Sequence, residues 1–131
     1  MTNRELIKTM NLIANQIGEK KTKVEMKLSR IFEQLDKYRD GMNVKINALK
    51  LDYASVDADG NLIYEQNGEY KFKRDARKEL DQALLKLADS EVEDFKPISI
   101  VNPQGLEKFT FLNGVVSGVY FPEQWDEIDE L

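Results

Sequence analysis

Residues 22–53 read TKVEMKLSRIFEQLDKYRDGMNVKINALKLDY, from Thr22 to Tyr53, and this stretch decides the fold. Val24, Leu28, Ile31, Leu35, Tyr38, Met42, Ile46, Leu49 and Tyr53 recur at spacings of three and four, a helical stripe and not a strand alternation. Phe32 widens the stripe, and Glu, Lys, Arg and Asp occupy the opposite face. Thr22 followed by Glu25 forms a capping box that starts the helix. At about 1.5 Å per residue the helix extends roughly 45–50 Å, so the other elements are expected to be arranged along it. Asp40-Gly41 is its weak point, because glycine costs about 1 kcal/mol in a helix interior.

Thr2 and Glu5 form a second capping box, opening a helix with Leu6, Ile7, Met10, Ile13 and Ile17 on one face. Gly18 is expected to end it in the left-handed conformation. The link 19–21 is short, so this helix should fold back along the first half of the long one. A third helix over 74–88 carries Ala76, Leu80, Ala83, Leu84 and Leu87, and its length matches the second half. Even so, each half would have one helix against it, leaving apolar surface for a partner. We therefore expect a homo-oligomer.

Between the helices, Asp57-Ala58-Asp59-Gly60-Asn61 is turn chemistry. Asn67-Gly68 predicts a two-residue hairpin that pairs Tyr64 with Lys71 and Ile63 with Phe72. Beyond the third helix, 91–95 and 98–101 read as short strands separated by Pro97. Residues 113–121 are ambiguous: Val115, Val116, Val119, Tyr120 and Phe121 favour strand, while Asn113 can cap a helix. We read no internal repeat. The expected fold class is α+β: a helical hairpin with one long central helix, a β-hairpin, a third helix and a small C-terminal strand and helix region. We expect one domain over 1–121 and an acidic tail over 122–131.

Composition narrows the chemistry. The 131 residues contain no Cys and no His, which removes thiol nucleophiles, Ser-His-Asp catalysis and His- or Cys-ligated metals. No apolar run reaches the ~20 residues needed to cross a bilayer. The start lacks a signal-peptide core, so a cytoplasmic protein is expected. Net charge is −5 but uneven: residues 1–50 carry 11 Lys+Arg against 6 Asp+Glu, while 91–131 carry 2 against 9. Bulk DNA binding is not expected from such a chain.

The whole layout resembles a group of small phage and prophage proteins of unknown function. The likeness is carried by Asp57-Ala58-Asp59-Gly60-Asn61, by Asn67-Gly68-Glu69-Tyr70-Lys71-Phe72-Lys73, by Leu87-Ala88-Asp89-Ser90-Glu91-Val92-Glu93, and by Ile98-Ser99-Ile100. It covers residues 22–121, implies a viral or mobile-element origin, and tips 113–121 towards helix. No catalytic residue comes with it.

Five candidate sites remain. Tyr70, Lys71, Phe72, Lys73, Arg74, Arg77 and Lys78 combine cations at a helix start with aromatic rings, a pattern suited to phosphate and a stacked base; opposed to this is a solvated face neutralised by Asp75, Glu79 and Asp81. Lys20, Lys21, Lys23, Lys27 and Arg30 form a second basic group, which in an oligomer would approach the first cluster of a neighbouring chain. Ser55–Gly60 imitates part of an EF-hand loop, but position twelve is Gln66 where a bidentate Glu is required. Asp94-Phe95-Lys96 has the acid-x-Lys form of metal-dependent nucleases. Trp125, Ile128 and Leu131 align on one helical face as a docking motif. We expect no cofactor, no metal and no catalytic residue. The expected function is a non-enzymatic, oligomeric binding protein acting in counter-defence, on a host immune protein or by sequestering a nucleotide signal. The alternative is a virion-assembly or structural accessory protein.

Overall fold

A computed structural model describes residues 1–19 and 21–121. The architecture is α+β, with helices α1 (Asn3–Gln16), α2 (Lys23–Tyr53) and α3 (Arg74–Asp89) and two short strands, β1 (Ile98–Ser99) and β2 (Val116–Ser117). Among the described residues no helix is long and apolar enough to cross a membrane. The chain divides into two compact units, Met1–Arg39 with the segment from Glu91 onward, and Asp40–Ser90.

In the first unit a reciprocal capping box opens α1, and the Thr22 side chain caps α2. Thr2 Oγ1 accepts from the Glu5 N–H at 3.1 Å while Glu5 Oε1 accepts from the Thr2 N–H at 3.1 Å, and Thr22 Oγ1 accepts from the Glu25 N–H at 3.1 Å. Gly18 does not take the left-handed conformation, because α1 closes in an extended geometry at Ile17. The Gly18 N–H instead donates to Glu25 Oε2 at 2.9 Å, so the α2 cap also ties down the link.

The core of this unit joins Leu6, Met10 and Ile13 of α1 to Leu28, Ile31 and Leu35 of α2. The segment after Glu91 supplies a third wall of this core: Val92, Ile98, Leu106, Leu112, Val115, Val116 and Phe121 are all buried. These turns of α2 are therefore covered by α1 and by the C-terminal segment together, where the sequence predicts a single covering helix. The predicted strand over 91–95 does not form. Glu91 makes one antiparallel bridge to Thr2, and the chain then turns through Asp94 at φ 56°. Residues 113–121 are not helical: Gly114 and Gly118 stand at φ 82° and 81° on either side of β2, which pairs in parallel with β1. Left-handed glycines flanking the strand leave no room for a helical run.

The second unit holds the later turns of α2, a β-turn region and α3. Here Asn67-Gly68 forms a three-residue loop and not the two-residue one. The Gly68 N–H donates to Glu65 O at 3.0 Å, the Glu65 N–H to Glu69 O at 2.7 Å, and only Gly68 has positive φ. The register consequently shifts by one residue, which exchanges the faces of the ribbon. Tyr64 pairs with Tyr70, with ring centroids 5.6 Å apart, and Ile63 faces Lys71 in place of Phe72.

The same loop occurs eight residues earlier. The Gly60 N–H donates to Asp57 O and the Asp57 N–H to Asn61 O, with Gly60 at φ 83° and Val56 bridged to Leu62. Residues 56–63 and 64–71 are thus an internal repeat of eight, contrary to the sequence reading. Its turns bring Ser55, Ile63 and Lys71 into a closed ring: Ile63 N–H donates to Ser55 O, Lys71 N–H to Ile63 O, and Ser55 N–H to Lys71 O, at 2.8–3.2 Å. Six backbone groups are satisfied without a long strand.

Candidate functional site

The second hairpin, α2 and α3 converge on a cleft of about 410 Å³ lined by Asn47, Lys50, Tyr64, Gly68, Glu69, Tyr70, Phe72 and Arg77. Turn geometry and helix position account for most of this lining. The one-residue register shift puts Tyr64 and Tyr70 side by side, and Gly68 opens the loop between them. Arg77 lies in the first turns of α3, and its guanidinium carbon sits 5.6 Å from the Phe72 ring centroid, within cation–π range. Arg77 Nε is also 3.2 Å from Asp81 Oδ1, an exposed ion pair one turn along α3. Asn47 and Lys50 come from α2, three residues apart and hence neighbours on one face.

The structure gathers three of the seven residues of the predicted basic-aromatic cluster, namely Tyr70, Phe72 and Arg77. Lys71, Lys73, Arg74 and Lys78 are exposed and do not line the cleft. Sequence reasoning missed Asn47, Lys50, Tyr64 and Glu69. Tyr64 was legible only through the register, and Lys50 and Asn47 only through tertiary placement. Lys73 occupies the N-cap of α3 without a side-chain hydrogen bond to the helix, so no side chain of the cap residue serves the first-turn N–H groups.

This set of groups has a definite chemical competence. Three rings offer faces for a planar ligand, Lys50 and Arg77 offer cations for an anionic group, and Asn47 offers a donor and an acceptor. Glu69 puts one carboxylate on the same wall, which disfavours a bare polyanion and suits a ligand with an N–H edge.

The remaining candidates fare differently. Asp57 Oδ1 accepts from the N–H groups of Asp59 and Asn61, both at 2.9 Å, so the carboxylate of the EF-hand-like stretch serves its own turn. In Asp94-Phe95-Lys96 the acid and the lysine do not share a site. Lys96 lines a separate cleft of about 480 Å³ with Gln34, Lys37, Tyr38, Pro97, Ile98 and Ser99, and Asp94 is not in its wall. Phe95 packs on Tyr38 with centroids 5.2 Å apart, a core contact. Of the second basic group, Lys27 Nζ donates to Gln104 O at 2.8 Å, a contact within the first unit, and Lys20 lies outside the described residues. Trp125, Ile128 and Leu131 also lie outside them.

No family model, curated protein or solved structure matches this chain.

Proposed function

We propose that this is a non-enzymatic binding protein, acting as an oligomer, whose aromatic cleft takes a planar anionic ligand of the nucleotide class. The observation that carries the reading is the convergence of Tyr64, Tyr70 and Phe72 with Lys50 and Arg77 in one cleft. Stacking on such rings is worth about 1–3 kcal/mol per base, and it tolerates any base. The absence of Cys and His leaves the chain better equipped to hold a ligand than to transform it. With the resemblance to phage and prophage proteins, the biological role we propose is counter-defence by sequestering a nucleotide signal in the host cytoplasm.

A thermal-unfolding titration with a panel of nucleoside monophosphates and cyclic nucleotides tests this. Ligand at a hundred times its dissociation constant adds about 2.7 kcal/mol to the folded state. The unfolding midpoint should therefore rise for the wild-type chain and should not rise for Arg77→Glu. Equal midpoints with and without every nucleotide would sink the reading.

A second reading rests on a different observation. Val44, Leu51, Val56, Tyr64 and Leu85 in the second unit are each half or more exposed. Surface of this kind suits a protein partner, either a host immune protein or a component of an assembling virion.

A further inference from the structure

The apolar stripe that the sequence marks on α2 is not its most exposed one. Met42, Ile46, Leu49 and Tyr53 are half-buried within the second unit. On the opposite side of the helix Gly41, Val44, Ala48 and Leu51 follow one another at spacings of three, four and three, the spacing of the a and d positions of a coiled coil. Val44 is 68% exposed and Leu51 50%. A methyl group built on Gly41 would meet nothing within 4 Å, so this end of the stripe is open as well.

We infer that this seam is the contact between two copies of the chain, with the two α2 helices running parallel. The inference rests on the oligomeric part of the reading above and assigns it a face and a direction.

Two facts select a second copy as the occupant. The first is burial: in Asp40–Ser90 the only fully buried apolar side chain is Leu80. So thin a core leaves the apolar side chains of this part of α2 exposed, surface that a second copy can cover. The second is charge. With Gly41 and Ala48 at a and Val44 and Leu51 at d, the flanking g positions are Asp40 and Asn47, and the e positions are Lys45 and Asp52. Parallel helices bring g of one copy against the next e of the other. Asp40 then meets the partner's Lys45, and Asn47 meets the partner's Asp52, each twice by symmetry. The antiparallel arrangement that keeps all four seam residues in contact sets Lys45 against the partner's Lys45. Like charges there oppose that direction. Glycine and alanine at both a positions let the helices approach closely.

The test uses the full chain, which has no native cysteine to confuse it. Val44→Cys and Leu51→Cys, made separately and oxidised, should each give a covalent dimer, because d residues face their own copies only in the parallel register. Failure of either variant to cross-link overturns the parallel seam. Sedimentation should find the wild type dimeric and Val44→Asp monomeric with unchanged far-UV circular dichroism. A wild-type monomer, or a Val44→Asp dimer, equally overturns the proposal. Asp40→Lys should weaken the dimer about tenfold, and Asp40→Lys with Lys45→Asp should restore it. Nucleotide titration of monomeric Val44→Asp separates the two claims, since the cleft lining does not include Val44.

Discussion

Gly105 shows how closely single residues constrain the first unit. Its φ is 92°, and a Cβ placed there would lie 2.6 Å from Val24 Cγ2. Backbone strain of about 1–3 kcal/mol and overpacking against a stiff β-branched side chain then act together in Gly105→Ala. Gly60 and Gly68 have similar φ but open space around them, so their alanine variants bear the strain alone. Urea denaturation should rank Gly105→Ala as the most damaging of the three, and Val24→Ala should recover part of its loss but none of the loss in Gly60→Ala. At the other end of the chain, the Thr2 backbone N–H and hydroxyl hold the Glu5 carboxyl below its ordinary value of 4.5. A lowered pKa means that the carboxylate contributes stability above pH 4.5, lost as pH falls through the folded-state value. Glu5→Gln keeps the acceptor geometry without the proton, so its stability should vary less than the wild type's in acid titrations followed by circular dichroism.

Among the elements, α2 has two kinds of turn. Ile31 is fully buried between α1 and the C-terminal segment, while Met42 is half-buried. Ile31→Ala should cost about 2–5 kcal/mol in denaturant unfolding, and Met42→Ala about 1–2 kcal/mol, because less apolar surface is lost. The helices were legible in the sequence because their stripes and capping boxes are local signals: Thr2-Glu5, Thr22-Glu25 and the run from Arg74 appear within a residue of their expected places. In the C-terminal segment β1 falls inside the strand expected over 98–101, whereas the part after it was not legible, and its geometry says why. N–H groups of Leu106, Phe109, Leu112 and Val115 each donate to the carbonyl three residues back, starting from Pro103. Apolar residues therefore recur every three positions, a period that matches neither strand nor α-helix. The hairpin formed where expected, but its register was missed for a different reason. Asn-Gly fits two loop lengths, and the choice was set by the closed ring of Ser55, Ile63 and Lys71, a tertiary feature. Of the candidate site, Tyr70, Phe72 and Arg77 were visible as a local motif, whereas Lys50 and Asn47 reach the cleft only through folding.

For the molecule as a whole, the proposed cleft and the proposed seam share only Asn47, which lines the cleft and stands between Val44 and Ala48 on α2. Neutralising the aromatic wall should separate binding from assembly. Phe72→Ala removes the ring under Arg77, so nucleotide affinity should fall by about 1–3 kcal/mol in calorimetric titration while the subunit number stays the same. Native mass spectrometry of the protein, gently purified from the cells that produce it, tests the central claim most directly, because it weighs subunits and retained ligand together. A dimer carrying the mass of one nucleotide per subunit is the expected spectrum. A bare monomer, after nucleotides have been supplied in excess, contradicts it.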